Sequence, residues 1–293
     1  MLRLREDIPL FPQGRKKAFT LSSDDGVTQD GRLISLMKAY GIKGTFFLNS
    51  GLMGERDWLV QPGINASHYK YRSEEITEIY DGFEIAVHTM THPDLTRIPT
   101  AMAAWEISEN KQHLESLVKH PVQGMSYPFG TYNDEVTNTA KICGIAYSRT
   151  VNTTGAFSLP DNFLVWNPTC HYCDSQRTEL AQKFLKPVTA KEYQAPLLYY
   201  VWGHAYQLDA YQDWESMEKF FSLIGGHEEI WYADNIEICN YMQAVNSLIY
   251  SSCGTYIANP SSLDVWMQID KKTYLIPSGK TISVDWKHLD DSI

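Results

Sequence analysis

Long apolar runs are missing from this sequence. No stretch of its 293 residues approaches the roughly 20 needed to cross a bilayer, which sets aside a helical membrane protein. Cations are scarce as well: 25 Lys and Arg stand against 35 Asp and Glu, a formal net charge of -10. A sequence-independent hold on nucleic acid needs clustered Lys and Arg to displace counterions, so neither nucleic acid nor a membrane surface is an expected partner. Cysteine is sparse and odd in number, with Cys143, Cys170, Cys173, Cys239 and Cys253 scattered along the chain. That usage fits free thiols in a reducing compartment better than a disulfide framework. The stretch MLRLREDIPLFPQGRKK has no apolar centre of the kind a secretory signal needs, so the expected location is cytoplasmic. Internal repeats and low-complexity tracts are absent too.

What is present is ordinary globular material, 43% hydrophobic and 20% charged, long enough for one large α/β domain or two smaller ones. Period and punctuation show strands alternating with helices. KAFTLSS reads as a strand, and DGRLISLMKAYG as an amphipathic helix with Leu33, Leu36 and Met37 on one face and Gly41 as its stop. KGTFFLNSG is the next strand, followed by a loop rich in Gly and aromatic residues over roughly residues 51 to 72. GFEIAVHTMTHPDL, VQGMSYPFG, IAYSRT and PLLYYVWGH read as further strands, and TAMAAWEISENKQHLESLVKH as the longest helix. Such alternation predicts parallel strands with helices outside, in an open doubly wound sheet or a barrel, with functional loops gathered at the C-terminal ends of the strands. After about residue 250 the pattern turns alternating and turn-rich, and predicts a small β appendage.

Two stretches carry chemistry. In LSSDDG, Asp24 and Asp25 stand side by side where a buried strand ends. Adjacent like charges raise each other's cost of ionisation, so the pair needs open water or a cation; Asp-Asp-Gly is also good turn chemistry. In HTMTH, His88 and His92 lie four apart, a spacing that brings both imidazoles to one cation if the segment takes a helical turn. With Asp25 as third ligand the set is Asp-His-His with an open position for water, the pattern of catalytic zinc. The residue after His88 is Thr89 rather than the Glu of zinc proteases, so the base has to come from elsewhere, and Asp24 is placed to be it. CHYC, with Cys170, His171 and Cys173, has no companion pair at zinc-ribbon spacing and reads as free thiols. His68, His113, His120, His227 and His288 belong to no constellation and read as surface or structural residues.

LSSDDG, HTMTHP, SYPFGTYN and YVWGH, in this order and after successive strands, resemble the polysaccharide deacetylases of carbohydrate esterase family four, the NodB-homology group, over roughly residues 15 to 245. The resemblance implies a distorted (β/α) barrel with a divalent metal, usually zinc, that removes acetyl groups from N- or O-acetylated sugars. By position it implies Asp24 as general base, Asp25, His88 and His92 as metal ligands, and His204 as general acid. The backbone N–H of Phe129 matches the family's oxyanion donor. The expected organisation is a catalytic barrel over 1–249 and a β extension over 250–293.

The chain departs from the family at three places. Ser23 replaces an aromatic before the Asp pair, and Ser126 stands where the family carries an arginine that pairs with the base. The fourth motif is blurred in VWNPTCHYCD, where Trp166, His171 and Asp174 are candidates for the substrate wall or for orienting His204, and Asp209 is another candidate orienter. Trp166, Trp202 and Tyr206 are candidate substrate-binding residues by nearness to the motifs. The expected partner is an acetylated oligosaccharide or small carbohydrate, with the oligomeric state open. Two other functions stay on the table: a catalytically degenerate carbohydrate-binding protein on the same scaffold, and a hydrolase of a non-sugar amide.

Overall fold

The computed structural model describes residues 5–189 and 192–284. The outer ends of the expected 1–249 and 250–293 units, and His288, lie outside the described residues. Eight parallel strands form the main sheet: β1 (Lys17–Asp24), β2 (Gly44–Leu48), β3 (Glu84–Val87), β4 (Gly124–Ser126), β5 (Tyr147–Arg149), β6 (Cys170–His171), β7 (Leu197–Gly203) and β8 (Ile230–Tyr232). Their order is β5-β4-β3-β2-β1-β7-β6, with β8 beside the first half of β1 where β2 has not yet begun. The stretch from Trp166 to His171 joins the two edges of this curled sheet. Trp166 makes a parallel bridge to Arg149, and Cys170 and His171 pair with Val201 and Trp202. The alternating pattern allows an open sheet or a barrel, and the curled sheet is the barrel that the family resemblance implies.

Every residue of β1 is buried, as expected of a central parallel strand covered on both faces. Side chains alternate along it, and the two faces meet different cores. Phe19 and Leu21 pack outward with Phe46, Leu48, Ile85 and Val87 against helices such as α1 (Asp30–Ala39), whose Leu33, Ile34 and Met37 are buried. Ala18 packs inward with Phe47, Ala86, Tyr147 and Tyr200. Asp24 shares its parity with Ala18, so the strand period already aims it into the barrel.

The other end of the barrel is plugged by α2 (Asn235–Asn246), whose Ile238, Cys239, Tyr241 and Met242 belong to the inner core. Its first turn meets a buried polar set. Thr45 Oγ1 accepts from the Asn235 N–H at 3.0 Å, and the Glu84 carboxylate accepts from the Ile236 N–H at 2.9 Å, Thr45 Oγ1 at 2.7 Å and Tyr147 OH at 2.8 Å. Burial, with the charge of Asp234, pushes the Glu84 carboxyl up to about 8. A raised folded-state value means stabilisation that is full below the unfolded-chain value and is lost as pH rises towards 8. Glu84→Gln mimics the protonated form, and the fall in unfolding free energy between pH 5 and pH 8 is expected to be shallower in that variant, measured by urea titration at the two pH values. An unchanged slope would show that Glu84 ionises freely in the folded protein.

The region after residue 250 is β, in two small antiparallel sheets. One of them, Val265–Ile269 with Lys272–Ile276, takes Asp7–Leu10 as its third strand, a pairing of the two ends of the chain that the local pattern did not reveal. A second difference lies in the 51 to 72 stretch, which is an antiparallel hairpin, Arg56–Gln61 with Ile64–Tyr69. Its Gly63 turn has φ +81°. It leans on the short helix Ala205–Ala210 that follows β7.

Candidate active site

At the C-terminal ends of the strands lies a cavity of about 610 Å³. Its lining includes Asp24, Asp25, His92, Phe129, Trp202 and His204, so residues far apart in sequence meet there. A larger cavity, about 930 Å³, opens at the other end of the barrel, lined by Lys16, Lys17, Glu228 and Glu229 among others. Its lysine ammoniums already donate to the carbonyls of Val188 and Lys186 at 2.8 Å. Size alone would choose that cavity; the chemistry lies in the smaller one.

Asp25, His88 and His92 each offer a ligand atom, and these atoms lie within 4.8 Å of one another. His88 Nε2 is 3.8 Å and His92 Nε2 4.0 Å from Asp25 Oδ1. Ligands at zinc bond lengths of about 2.0–2.2 Å stand somewhat over 3 Å apart, so small closure suffices and the residues fit a divalent ion. The segment between the histidines is not helical. Thr89 (φ 65°) and His92 (φ 59°) both occupy the left-handed region, and that double reversal sets the imidazoles edge to face with centroids 4.7 Å apart. The helical turn that the spacing suggests is therefore replaced by a strained loop. Asp25 (φ 81°) and Phe129 (φ 58°) share this backbone region. Such conformations in non-glycine residues cost on the order of 1–3 kcal/mol each and cluster at functional sites.

The protonation states suit a cation. Burial pulls the His88 imidazole down to about 4 against the opposing charge of Asp24, and burial also lowers His92. Burial alone would raise Asp25, but Lys70, the His68 hydrogen bond, His204 and His88 together hold it well below the usual carboxylate range. Neutral imidazoles beside an ionised carboxylate are the ligating forms. His88 Nδ1 is engaged by Ser126, at 2.7 Å from Oγ and 3.0 Å from the carbonyl oxygen, which leaves Nε2 to face the cavity.

Asp24 is 2% exposed and differently placed from its neighbour. Its Oδ2 accepts a hydrogen bond from Arg149 Nη2, and stands 3.7 Å from His88 Nε2 and 3.9 Å from His204 Nε2. Its Oδ1 is buried and has no hydrogen-bond partner among the described residues. Both carboxylates thus stand near histidines, and Asp24 alone of the pair is bonded to an arginine. His204 follows Gly203, where an added Cβ would lie 2.4 Å from the Tyr172 ring, so glycine lets β7 end against that ring.

Three expected roles fail on position. Trp166 is 1% exposed, packed in the inner core against Tyr147, Phe163 and Tyr200, and cannot wall a substrate. Asp174 Oδ1 accepts from the Gln176 N–H at 2.9 Å, which makes it a turn cap. Asp209 Oδ1 accepts from Trp214 Nε1 at 2.7 Å, so that oxygen is engaged by the indole. The group that holds His204 is Gln207, whose Oε1 lies 3.1 Å from Nδ1. Trp202 and Tyr206 do line the cavity, and Phe129 brings its ring edge-on to His92 at 4.7 Å. Cys170 and Cys173 are free thiols, raised by burial to about 11 and about 12.

Besides Gln207, sequence reasoning missed three contributors. His68 and Lys70 come from the second strand of the hairpin: His68 Nε2 sits 3.2 Å from Asp25 Oδ2, and Lys70 Nζ donates to the Asp25 carbonyl at 2.7 Å. Their alternation, i and i+2 in ASHYK, was the available signal, once the stretch is read as a strand. Arg149 is the third.

The fold and the site resemble those of polysaccharide deacetylases: residues 12–148, just under half of the chain, match that family's model. The segment holds the Asp pair, both histidines of HTMTH and the YPFG turn. YxkH of Bacillus subtilis, a polysaccharide deacetylase homologue, is 24% identical over 131 residues, 44% of this chain and 43% of YxkH. A polysaccharide deacetylase homologue from Mycobacterium smegmatis superposes with a TM-score of 0.57 at 14% identity, over 84% of this chain and 96% of that one, which shows the shared fold. The Streptococcus pyogenes deacetylase PplD, solved with acetate, aligns with a TM-score of 0.43 at 22% identity over 50% of this chain and 61% of its own. The chain thus spans less than two thirds of YxkH and of PplD. Among the described residues no helix is long and apolar enough to cross a membrane.

Proposed function

We propose that this protein is a metal-dependent carbohydrate deacetylase, with zinc held by Asp25, His88 and His92. The observation that carries the reading is the meeting of those three ligand atoms beside a buried carboxylate whose Oδ1 is unpartnered. A bound divalent ion would acidify a water and polarise the acyl oxygen. Asp24 Oδ1 is the free acceptor that takes the proton of the attacking water. As the water oxygen bonds to the acyl carbon, the Phe129 N–H is the donor for the charge gathering on the acyl oxygen. His204 Nε2, its ring held from the Nδ1 side by Gln207, gives a proton to the leaving amine or alcohol as the C–N or C–O bond breaks. Acetate and the free sugar amine or hydroxyl are the products.

Trp202 and Tyr206 offer apolar faces to a sugar ring, and the hairpin adds Asp57, Leu59 and Gln61 to the wall above them. A hairpin standing over the cavity supports a small or terminal sugar as the substrate. The test is acetate release from chitooligosaccharides, acetylxylan and simple amides by the purified protein. Turnover that stops with chelator and returns with zinc or cobalt is the expected result. A protein that binds the sugars without releasing acetate is a lectin on this scaffold, and release from the simple amides alone moves the substrate outside carbohydrates.

A further inference from the structure

Arg149 is the largest charged side chain buried in the barrel, at 0% exposure. Its strand parity puts it on the inner face, and it reaches across the interior to Asp24 on β1. The guanidinium is held from several sides. Its centre lies 4.1 Å from the Trp202 ring centroid and 5.6 Å from that of Phe47, and Nη1 donates to the Thr150 carbonyl at 3.1 Å. Ring faces clamping a guanidinium add cation–π attraction, which grows when both partners are dry.

Position 126 explains why the arginine comes from this strand. Ser126 and Arg149 are register partners on β4 and β5. The Ser126 hydroxyl is spent on His88 Nδ1 at 2.7 Å, so the place where the resemblance implies an arginine here orients a candidate metal ligand instead. A guanidinium from position 126 would displace that bond. One strand over, the same cation reaches Asp24 without touching His88.

The geometry points to Arg149, clamped by Trp202, as the positioning residue of Asp24: it ties down Oδ2 and leaves Oδ1 as the single free acceptor. This rests on the deacetylase reading. A pair whose only task is to neutralise charge favours the two-bond fork, in which both carboxylate oxygens are engaged. Here one oxygen is engaged and its mate is buried and open. Buried ion pairs are seldom strong stabilisers compared with apolar packing, so the arrangement gains its sense from what it leaves free.

The experiment measures zinc-loaded wild type, Arg149→Met, Arg149→Lys, Asp24→Asn and Asp24→Asn/Arg149→Met with 4-nitrophenyl acetate, together with bound zinc and the thermal midpoint of the metal-free protein. Arg149→Met is expected to lower kcat about 10²-fold or more with KM and zinc stoichiometry nearly unchanged. Arg149→Lys, which keeps the charge without the fork, recovers part of that loss. In the Asp24→Asn background the same Met change moves kcat less than about threefold, because the carboxylate that Arg149 would position as base is gone. The metal-free midpoints show the same coupling, with Arg149→Met lowering the midpoint when Asp24 is present and little when it is Asn. Wild-type kcat in Arg149→Met, additive losses in the double variant, or zinc lost together with activity would each overturn the role. If Arg149→Met does not fold, Arg149→Lys and the midpoints of the remaining variants decide by the same criteria. An inert wild type ends the deacetylase reading, whereas an active wild type with an equally active Arg149→Met ends only this inference.

Discussion

Asp24→Asn is expected to lower kcat for acetyl-ester hydrolysis by about 10²–10⁴, the usual contribution of a general base, while zinc content stays at the wild-type level. The amide keeps the size and shape of the side chain, so the strand end should survive. It also keeps one oxygen for Arg149 Nη2. What it loses is the second carboxylate oxygen, the acceptor that stands buried and unpartnered. Because Asp24 Oδ2 is already occupied by Arg149, no other carboxylate oxygen is free to substitute for Oδ1. Activity within about threefold of wild type would move the base elsewhere and leave Asp24 as a structural acid.

His92→Ala is expected to lose the ion itself. Removing even an outer-shell partner costs about 10–100-fold in metal affinity, and removing one of three ligands should cost more. The change is also local: His92 is half-buried at the cavity mouth and its ring contacts are with His88 and Phe129, so the barrel core is untouched. Zinc measured after dialysis, with turnover alongside, checks the prediction. Retention of one zinc per chain would remove His92 from the ligand set and leave Asp25 and His88 with an unidentified third partner. The two predictions separate the adjacent functions at this site, since Asp24→Asn should cost turnover with the ion kept and His92→Ala should cost both.

Much of this site is legible along the chain because strand ends deliver residues in short, ordered motifs. Asp24 and Asp25 end β1, His88 follows β3, the YPFG turn follows β4 and His204 follows β7, and each stands next to a readable apolar run. The inward aim of Asp24 follows from period 2 alone, counted from Ala18. Where the reading failed, contact did not follow nearness. Trp166 stands in the VWNPTCHYCD stretch, yet its ring lies in the inner core, and Asp209 is five residues beyond His204 but serves Trp214. Gln207 was passed over because carboxylates are the expected imidazole partners, and an amide oxygen makes the same bond.

By itself the sequence determined the alternation of strand and helix, the parallel sheet and the order of the motifs that carry Asp25, His88 and His92, because backbone periodicity and motif order are local properties. Only the tertiary structure decided who stands behind those residues. The hairpin brings His68 and Lys70 to Asp25, the two ends of the chain share a small sheet, and Arg149 takes a place that Ser126 leaves open. Each of these is a long-range pairing set by sheet closure and register, and local sequence can show a strand, as ASHYK does, without showing what that strand will meet.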